Sequence, residues 1–362
     1  MKLGQAFDPR HNALNAWRLI LATGVIFWHS FPLTGRTISY EPVVRLLSEA
    51  WVDGFFTVSG FLITASWMRR PHLKEFWTAR VLRIFPGLWV CLLVIAFVIA
   101  PIAAAIRHRS IPMKSEVAYV LYNAVMFPYY VGINGTPIGV PWPGVWNGSL
   151  WTLLFELLCY IAVCVLGILG LLKRRWVIPV LFVLAVAWCG WVSYPTAALQ
   201  TIPQMLARFA VVFLAGALLY QFQDKVPARW SLVALSVAIV VASGLLQNYR
   251  VIAALPLAYA IIVSGALIRN VQLRNDLSYG VYIYAFPIQQ LLATCGLARL
   301  NPLVFFVIAT AATVPLAALS WFLVERHAMS LKRRIERKSD KPTTAGAARR
   351  SENVGSPSVG EE

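Results

Sequence analysis

Apolar runs about 20 residues long recur from one end of this chain to the other, and few folds tolerate that. "LRIFPGLWVCLLVIAFVIAPIAAAI", residues 82–106, is one of them. A helix of about 20 apolar residues crosses a bilayer, whose hydrocarbon core is about 30 Å thick. Candidate spans fall at 15–33, 50–67, 84–105, 150–172, 176–194, 204–222, 230–247, 251–268, 277–297 and 303–325. The stretch 116–131 is apolar but short and ends in Pro128, so it is read as a helix on or dipping into the membrane. Only 13% of residues are charged, about half the share in soluble domains. The fold expected is therefore all-α: a polytopic membrane helical bundle with about ten transmembrane helices.

Charge sets the orientation. With the N-terminus cytoplasmic, 22 Lys and Arg fall in inner segments and seven in outer ones, the asymmetry of the positive-inside rule. An even number of spans returns the basic "LKRRIERK" to the same side. The net charge of +17 thus reads as loop charge, not as a nucleic-acid surface. The expected location is the inner or plasma membrane, with both termini cytoplasmic. Residues 1–335 form the membrane domain, and the polar 336–362 a disordered cytoplasmic tail. The five cysteines lie in apolar runs without a C-x-x-C pair, as small hydrophobes do. No metal-ligand spacing, nucleotide-binding glycine loop or G-x-S-x-G is present.

The exceptions inside the apolar runs carry the functional signal. "WRLILATGVIFWHSF" holds Arg18 and His29, eleven residues apart. Eleven steps are almost three helical turns, so the two share a face about 16 Å apart. Arg18 alone also suits a side chain reaching the headgroups. His29 is an intramembrane ionisable group and a candidate general base. Asp53, in "WVDGFFTVSGFLIT", begins the second span. It suits either a hydrogen bond to the His29 imidazole or the free N–H groups of a helix N-terminus. Arg80 and Arg83 are three apart on one helical face. A phosphate-binding guanidinium pair and an ordinary basic flank both fit them. Glu156, in "GSLWTLLFELLCYI", lies about two turns into its span and needs a partner or a proton. Glu325 closes the last span and suits a pairing with Arg326 or a neighbouring helix.

Taken in order, these residues resemble the acyltransferase 3 family of integral membrane O-acyltransferases. The resemblance rests on Arg18-x10-His29, the "VDGFFTVSGFLIT" segment, Arg80-x-x-Arg83, and Trp151-Thr152-Leu153 with Glu156 and Tyr160. "LSYGVYIYAFP" and the closing "FLVER" complete it, and the whole covers about residues 12–330. The chain departs from many relatives at Asn15 and Leu19, where they carry Asp and Gly, and at Ala285, where they carry a histidine. His29 is left as the one histidine well inside a span.

The resemblance implies transfer of an acyl group, acetyl in the usual case, from acyl-CoA to a sugar hydroxyl of a cell-envelope polysaccharide, lipopolysaccharide or glycolipid. Arg18, Arg80 and Arg83 would hold the CoA phosphates, and His29 would act as base or acyl carrier. Asp53 would orient His29, and Glu156 would hold a sugar hydroxyl or complete a proton path. Trp151 and Tyr160 would contact substrate. Acyl-CoA is a donor substrate, with no permanently bound cofactor. The implied partners are acyl-CoA, a carbohydrate or glycolipid acceptor and membrane lipid, with no nucleic acid. A transporter or flippase of a glycan or small molecule uses similar intramembrane groups, but no internal repeat supports it. Pro179, Pro256, Pro287 and Pro315 are candidate helix breakers for that reading. A glycan-assembly partner without acyl-CoA dependence, and a succinyl-transferring family member, complete the alternatives.

Overall fold

The computed structural model describes residues 1–127, 130–192, 201–273 and 275–331. Pro128 and the expected cytoplasmic tail lie outside them. The helices are α1 (Leu3–Ala6), α2 (Leu14–His29), α3 (Glu41–Arg69), α4 (Leu73–Val94), α5 (Ala100–Ile106), α6 (Met113–Asn123), α7 (Trp151–Ile168), α8 (Val177–Trp191), α9 (Ile202–Gln221), α10 (Trp230–Ser243), α11 (Arg250–Leu267), α12 (Ser278–Thr294) and α13 (Pro302–Ser320). A π-helical turn at Ile95–Ile99 joins α4 to α5, and another at Trp321–Glu325 extends α13. Among the described residues, six helices are long and apolar enough to cross a membrane: Glu41–Arg69, Leu73–Ile106, Trp151–Ile168, Ile202–Gln221, Arg250–Leu267 and Pro302–Leu331. Val177–Trp191 and Trp230–Ser243 are apolar but shorter. Helix occupies each of the ten expected segments, and the molecule is a helical membrane protein.

The helices meet where side chains vanish. α3 and α9 cross at Gly60 and Gly216. A Cβ on Gly60 would stand 1.9 Å from the Phe213 carbonyl oxygen, and one on Gly216 would stand 2.0 Å from that of Thr57. Close backbone approach through small residues is how membrane helices gain packing energy, because lipid gives no hydrophobic drive between them. α12 fills the middle, with nearly all its residues buried. It ties itself to α2 through Gln289, whose Nε2 donates to the Ile26 carbonyl and to Ser30 Oγ, both at 3.0 Å.

Three expectations need correction. The second span begins not near residue 50 but at Glu41, so Asp53 lies three turns inside α3 rather than at its start. Free N–H groups of a helix N-terminus therefore do not satisfy it. Arg80 and Arg83 lie within α4, which starts at Leu73, not where a loop enters a span. Pro256, Pro287 and Pro315 sit within helices that continue past them, since packed neighbours can satisfy the freed carbonyls.

The bundle has two distinguishable ends. Residues 69–73 and 173–177 join helices at one end, the basic end. Residues 107–127, 130–150 and the turn after His29 lie at the other, the loop end.

Candidate functional site

A string of openings enters the bundle from the basic end. A vestibule of about 370 Å³ is lined by Arg69, Arg70, Glu75 and Phe76. It shares Ser66, Ala79 and Arg80 with a cavity of about 280 Å³. That cavity is lined by Arg18, Ser59, Arg80, Arg83, Glu156 and Tyr160, among others. A narrow recess of about 40 Å³ shares Arg18, Ser59 and Glu156 with it and reaches Thr152 and Tyr282. Sequence-predicted residues from α2, α4 and α7 thus converge on one space.

The arginines are not equivalent. Asp276, in the turn before α12, gathers two of them on one oxygen. Arg18 Nη1 and Arg83 Nη2 each donate to Asp276 Oδ2 at 2.5 Å. Its Oδ1 accepts the backbone N–H and hydroxyl of Ser278. Burial raises the Asp276 pKa, but Arg18, Arg83 and Ser278 outweigh that and hold it below the usual carboxylate range. Arg80 has no carboxylate partner among the described residues. Its Nη1 donates to the Phe76 carbonyl at 2.8 Å, and its guanidinium lies over the Phe76 ring, 3.7 Å from the centroid. Arg80 Nε is buried without a partner. The cavity therefore presents one uncompensated guanidinium and two that share a single carboxylate. Such a wall suits a polyanion.

Glu156 marks the inner end of the cavity. It accepts the Tyr160 hydroxyl and lies 3.3 Å from Ser59 Oγ. Beyond it, Tyr282 and Thr152 share a hydrogen bond at 2.7 Å. The carboxylate thus stands between the arginines and a chain of hydroxyls.

His29 is elsewhere. It is the last residue of α2, half-buried, with its ring edge-on to Phe286 at 5.0 Å and to Trp142 at 6.2 Å. Its Nδ1 is buried without a hydrogen-bond partner. Gln290 Nε2 donates to the Trp142 and Val145 carbonyls at 2.7 and 2.8 Å, and Asn147 Nδ2 donates to that of Ile283 at 2.8 Å. α12 thereby pins the loop-end segment over the histidine.

The expected bond from Asp53 to His29 is not made. Asp53 Oδ1 accepts Arg208 Nε at 2.8 Å, and Oδ2 accepts Arg250 Nε at 2.6 Å together with the Tyr249 hydroxyl. Glu49 joins Arg250 from one turn earlier on α3. A fully buried carboxylate goes to the strongest donors in reach, and two guanidiniums outcompete an imidazole. Trp151 also stands outside the cavity, its ring against Phe155 and Phe209. Glu325 does not pair with Arg326. It accepts Ser320 Oγ at 3.0 Å and leaves Oε2 without a partner.

Sequence reasoning missed Asp276, Ser59, Tyr282 and the Arg208–Arg250 pair. Two signals were present. Asp276 is a lone acid in the basic connection before α12, and Arg208 interrupts the apolar run "MLARFAVVF". An arginine there requires a partner.

Comparison with known proteins follows the same line. A family model described as an acyltransferase domain matches residues 11–322. An O-acetyl transferase of Shigella phage Sf6 is 25% identical over 340 residues, covering 88% of this chain and 96% of the relative. Nodulation protein 10 of Rhizobium leguminosarum bv. viciae is 28% identical over 365 residues, covering 89% and 94%. No solved structure matches.

Proposed function

The chain belongs to the acyltransferase 3 family and is an O-acyltransferase, and from that premise we propose the donor, acceptor and route. The donor is acyl-CoA, with acetyl as the acyl group, as the name of the phage relative suggests. The acceptor is a sugar hydroxyl of a cell-envelope polysaccharide, lipopolysaccharide or glycolipid. The protein sits in the inner or plasma membrane with ten crossings and both termini cytoplasmic, so the basic end faces the cytoplasm. The count of 22 inner against seven outer Lys and Arg supports that orientation.

One observation carries the reading: Arg18, Arg80 and Arg83 line a single cavity that opens through Arg69 and Arg70 and ends at Glu156. CoA phosphates would seat on the arginines, and the thioester arm would run inward past Glu156 and Tyr282 towards His29. There the acceptor hydroxyl loses its proton to His29 while its oxygen attacks the thioester carbonyl. The carbon–sulfur bond breaks, the sugar ester forms, and the proton passes to the departing CoA thiolate. A second reading has its own support. Glu156 lies in the cavity and His29 does not, so Glu156 is the alternative base.

Purified protein in liposomes, given labelled acetyl-CoA and a pool of envelope glycans, tests the proposal. Label in the glycan fraction supports the donor and acceptor classes. Binding of CoA without transfer removes the acceptor class. Neither binding nor transfer removes the donor. Loss of transfer in Glu156→Gln with persistence in His29→Ala would establish the second reading.

A further inference from the structure

We propose that the bundle holds one anionic glycerophospholipid, seated on the side of α7 away from the donor cavity. A groove of about 520 Å³ lies between α7, α8 and α9. Its walls are apolar: Leu158, Ala162 and Leu166 on α7 face Leu206, Ala210 and Leu214 on α9. In a helical membrane protein such a groove is filled by hydrocarbon, because neither water nor a polar ligand gains by entering it.

Three features make it a specific slot. The first is length. The α9 lining runs from Leu206 to Ala217, eleven steps or about 16 Å of helix. That is about half the bilayer's hydrocarbon thickness of about 30 Å, the reach of an acyl chain from one leaflet. The second is charge. Leu172 lines the groove at the basic end, and the next residues, Lys173, Arg174, Arg175 and Trp176, are all exposed. Tryptophan sits at headgroup depth, and clustered Lys and Arg beside the bilayer attract anionic headgroups. The third is an orphan polar atom. Thr64, on α3, lines the groove, is 1% exposed, and its Oγ has no partner. An unpaired buried hydroxyl is costly. Thr64 lies little more than one turn from the basic end of α3, the depth at which a lipid's ester carbonyl enters the slot and can accept its hydrogen.

The occupant supports α7 from behind. Cys159, Ala162, Val163 and Leu166 face the groove, while Glu156 and Tyr160 on the same helix face the donor cavity. Filling the groove therefore fixes the helix that carries the cavity's carboxylate.

Native mass spectrometry of the full chain tests this without relying on the transfer reaction. Delipidated protein is offered phosphatidylglycerol and phosphatidylcholine of the same chain length in equal amounts. One retained phosphatidylglycerol, preferred by at least about tenfold, is the expected result. Equal retention of the two lipids, or retention of neither, overturns the proposal on the wild-type protein alone. Two variants locate the site. Ala162→Trp fills the groove from an exposed position and should abolish the retained lipid. Lys173→Gln, Arg174→Gln and Arg175→Gln together should remove the headgroup preference. Retention unchanged in Ala162→Trp would place the lipid elsewhere and sink the assignment.

Discussion

Two clusters in this bundle are built from the same parts, two arginines closing on one aspartate. At the loop end, Asp53 takes Arg208 and Arg250 with side-chain exposures of 0%, 5% and 1%. At the basic end, Asp276 takes Arg18 and Arg83 with exposures of 10%, 22% and 19%. The first is closed, with Tyr249 and Glu49 adding further contacts. The second borders a cavity and stands beside Arg80, which has no acid of its own among the described residues. Composition is nearly identical, so access to an opening separates a tie between helices from a binding surface. The closed cluster joins α3, α9 and α11; the open one lies where a polyanion can enter.

The sharpest way to break this comparison is to remove each aspartate. Asp53→Ala leaves two buried guanidiniums with Glu49 alone to share. A loss of about 3–5 kcal/mol is expected, read as a large fall in thermal midpoint in detergent or as failure to accumulate. Asp276→Ala should cost far less, about 1 kcal/mol, because its partners reach the cavity. Equal losses would erase the distinction. Arg83 sharpens it from the other side. Arg83→Gln should raise the KM for acyl-CoA about tenfold, by the strength of a charge-assisted hydrogen bond. Its thermal midpoint should stay near wild type, and Arg83→Lys should recover only part of the affinity, lacking the planar fork. A KM unmoved by both substitutions would detach the basic-end cluster from the donor.

The smallest effect concerns pH. The Asp276 pKa is lowered in the folded state, where Arg18 and Arg83 overcome its burial. Its contribution to stability is therefore complete above the ordinary carboxylate value of about 4 and is lost as pH falls from there towards the lowered value. Wild type should thus lose a small increment of stability on acidification below about pH 4 that Asp276→Asn does not lose. Parallel melting curves across that interval would contradict the assignment.

Much of the fold was legible because a bilayer leaves helices as the natural solution for long apolar runs. Helices sit where the apolar runs sit. Their ends were less legible. α3 starts at Glu41, before the hydropathy rises, because Glu41, Arg45 and Glu49 find polar partners there. That shift made Asp53 look like a helix-start residue. Arg18, Arg80, Arg83 and Glu156 stood out in the sequence as residue types out of place in hydrocarbon, and Tyr160 entered only through the family resemblance; that the five line one cavity is a finding of the structure. Their pairings were not legible either. Which acid meets which arginine depends on how α2, α4 and the turn before α12 pack, and no local spacing encodes that. Asp276 is 258 residues from Arg18 and 193 from Arg83. Trp142, which covers His29, comes from a segment that Gln290 and Asn147 tie to α12, contacts far apart in sequence.

The most direct test of the account separates donor binding from chemistry at the two ends of the bundle. Transfer of labelled acetyl from CoA to glycan and binding of acetyl-CoA are measured together on wild type and His29→Ala. Loss of a general base should lower transfer by at least about 100-fold, while binding at the arginine-lined cavity stays within about twofold of wild type, inside the scatter of such measurements. Transfer that survives the substitution, or binding that falls with it, would contradict a donor site at the basic end serving a reaction centre at His29.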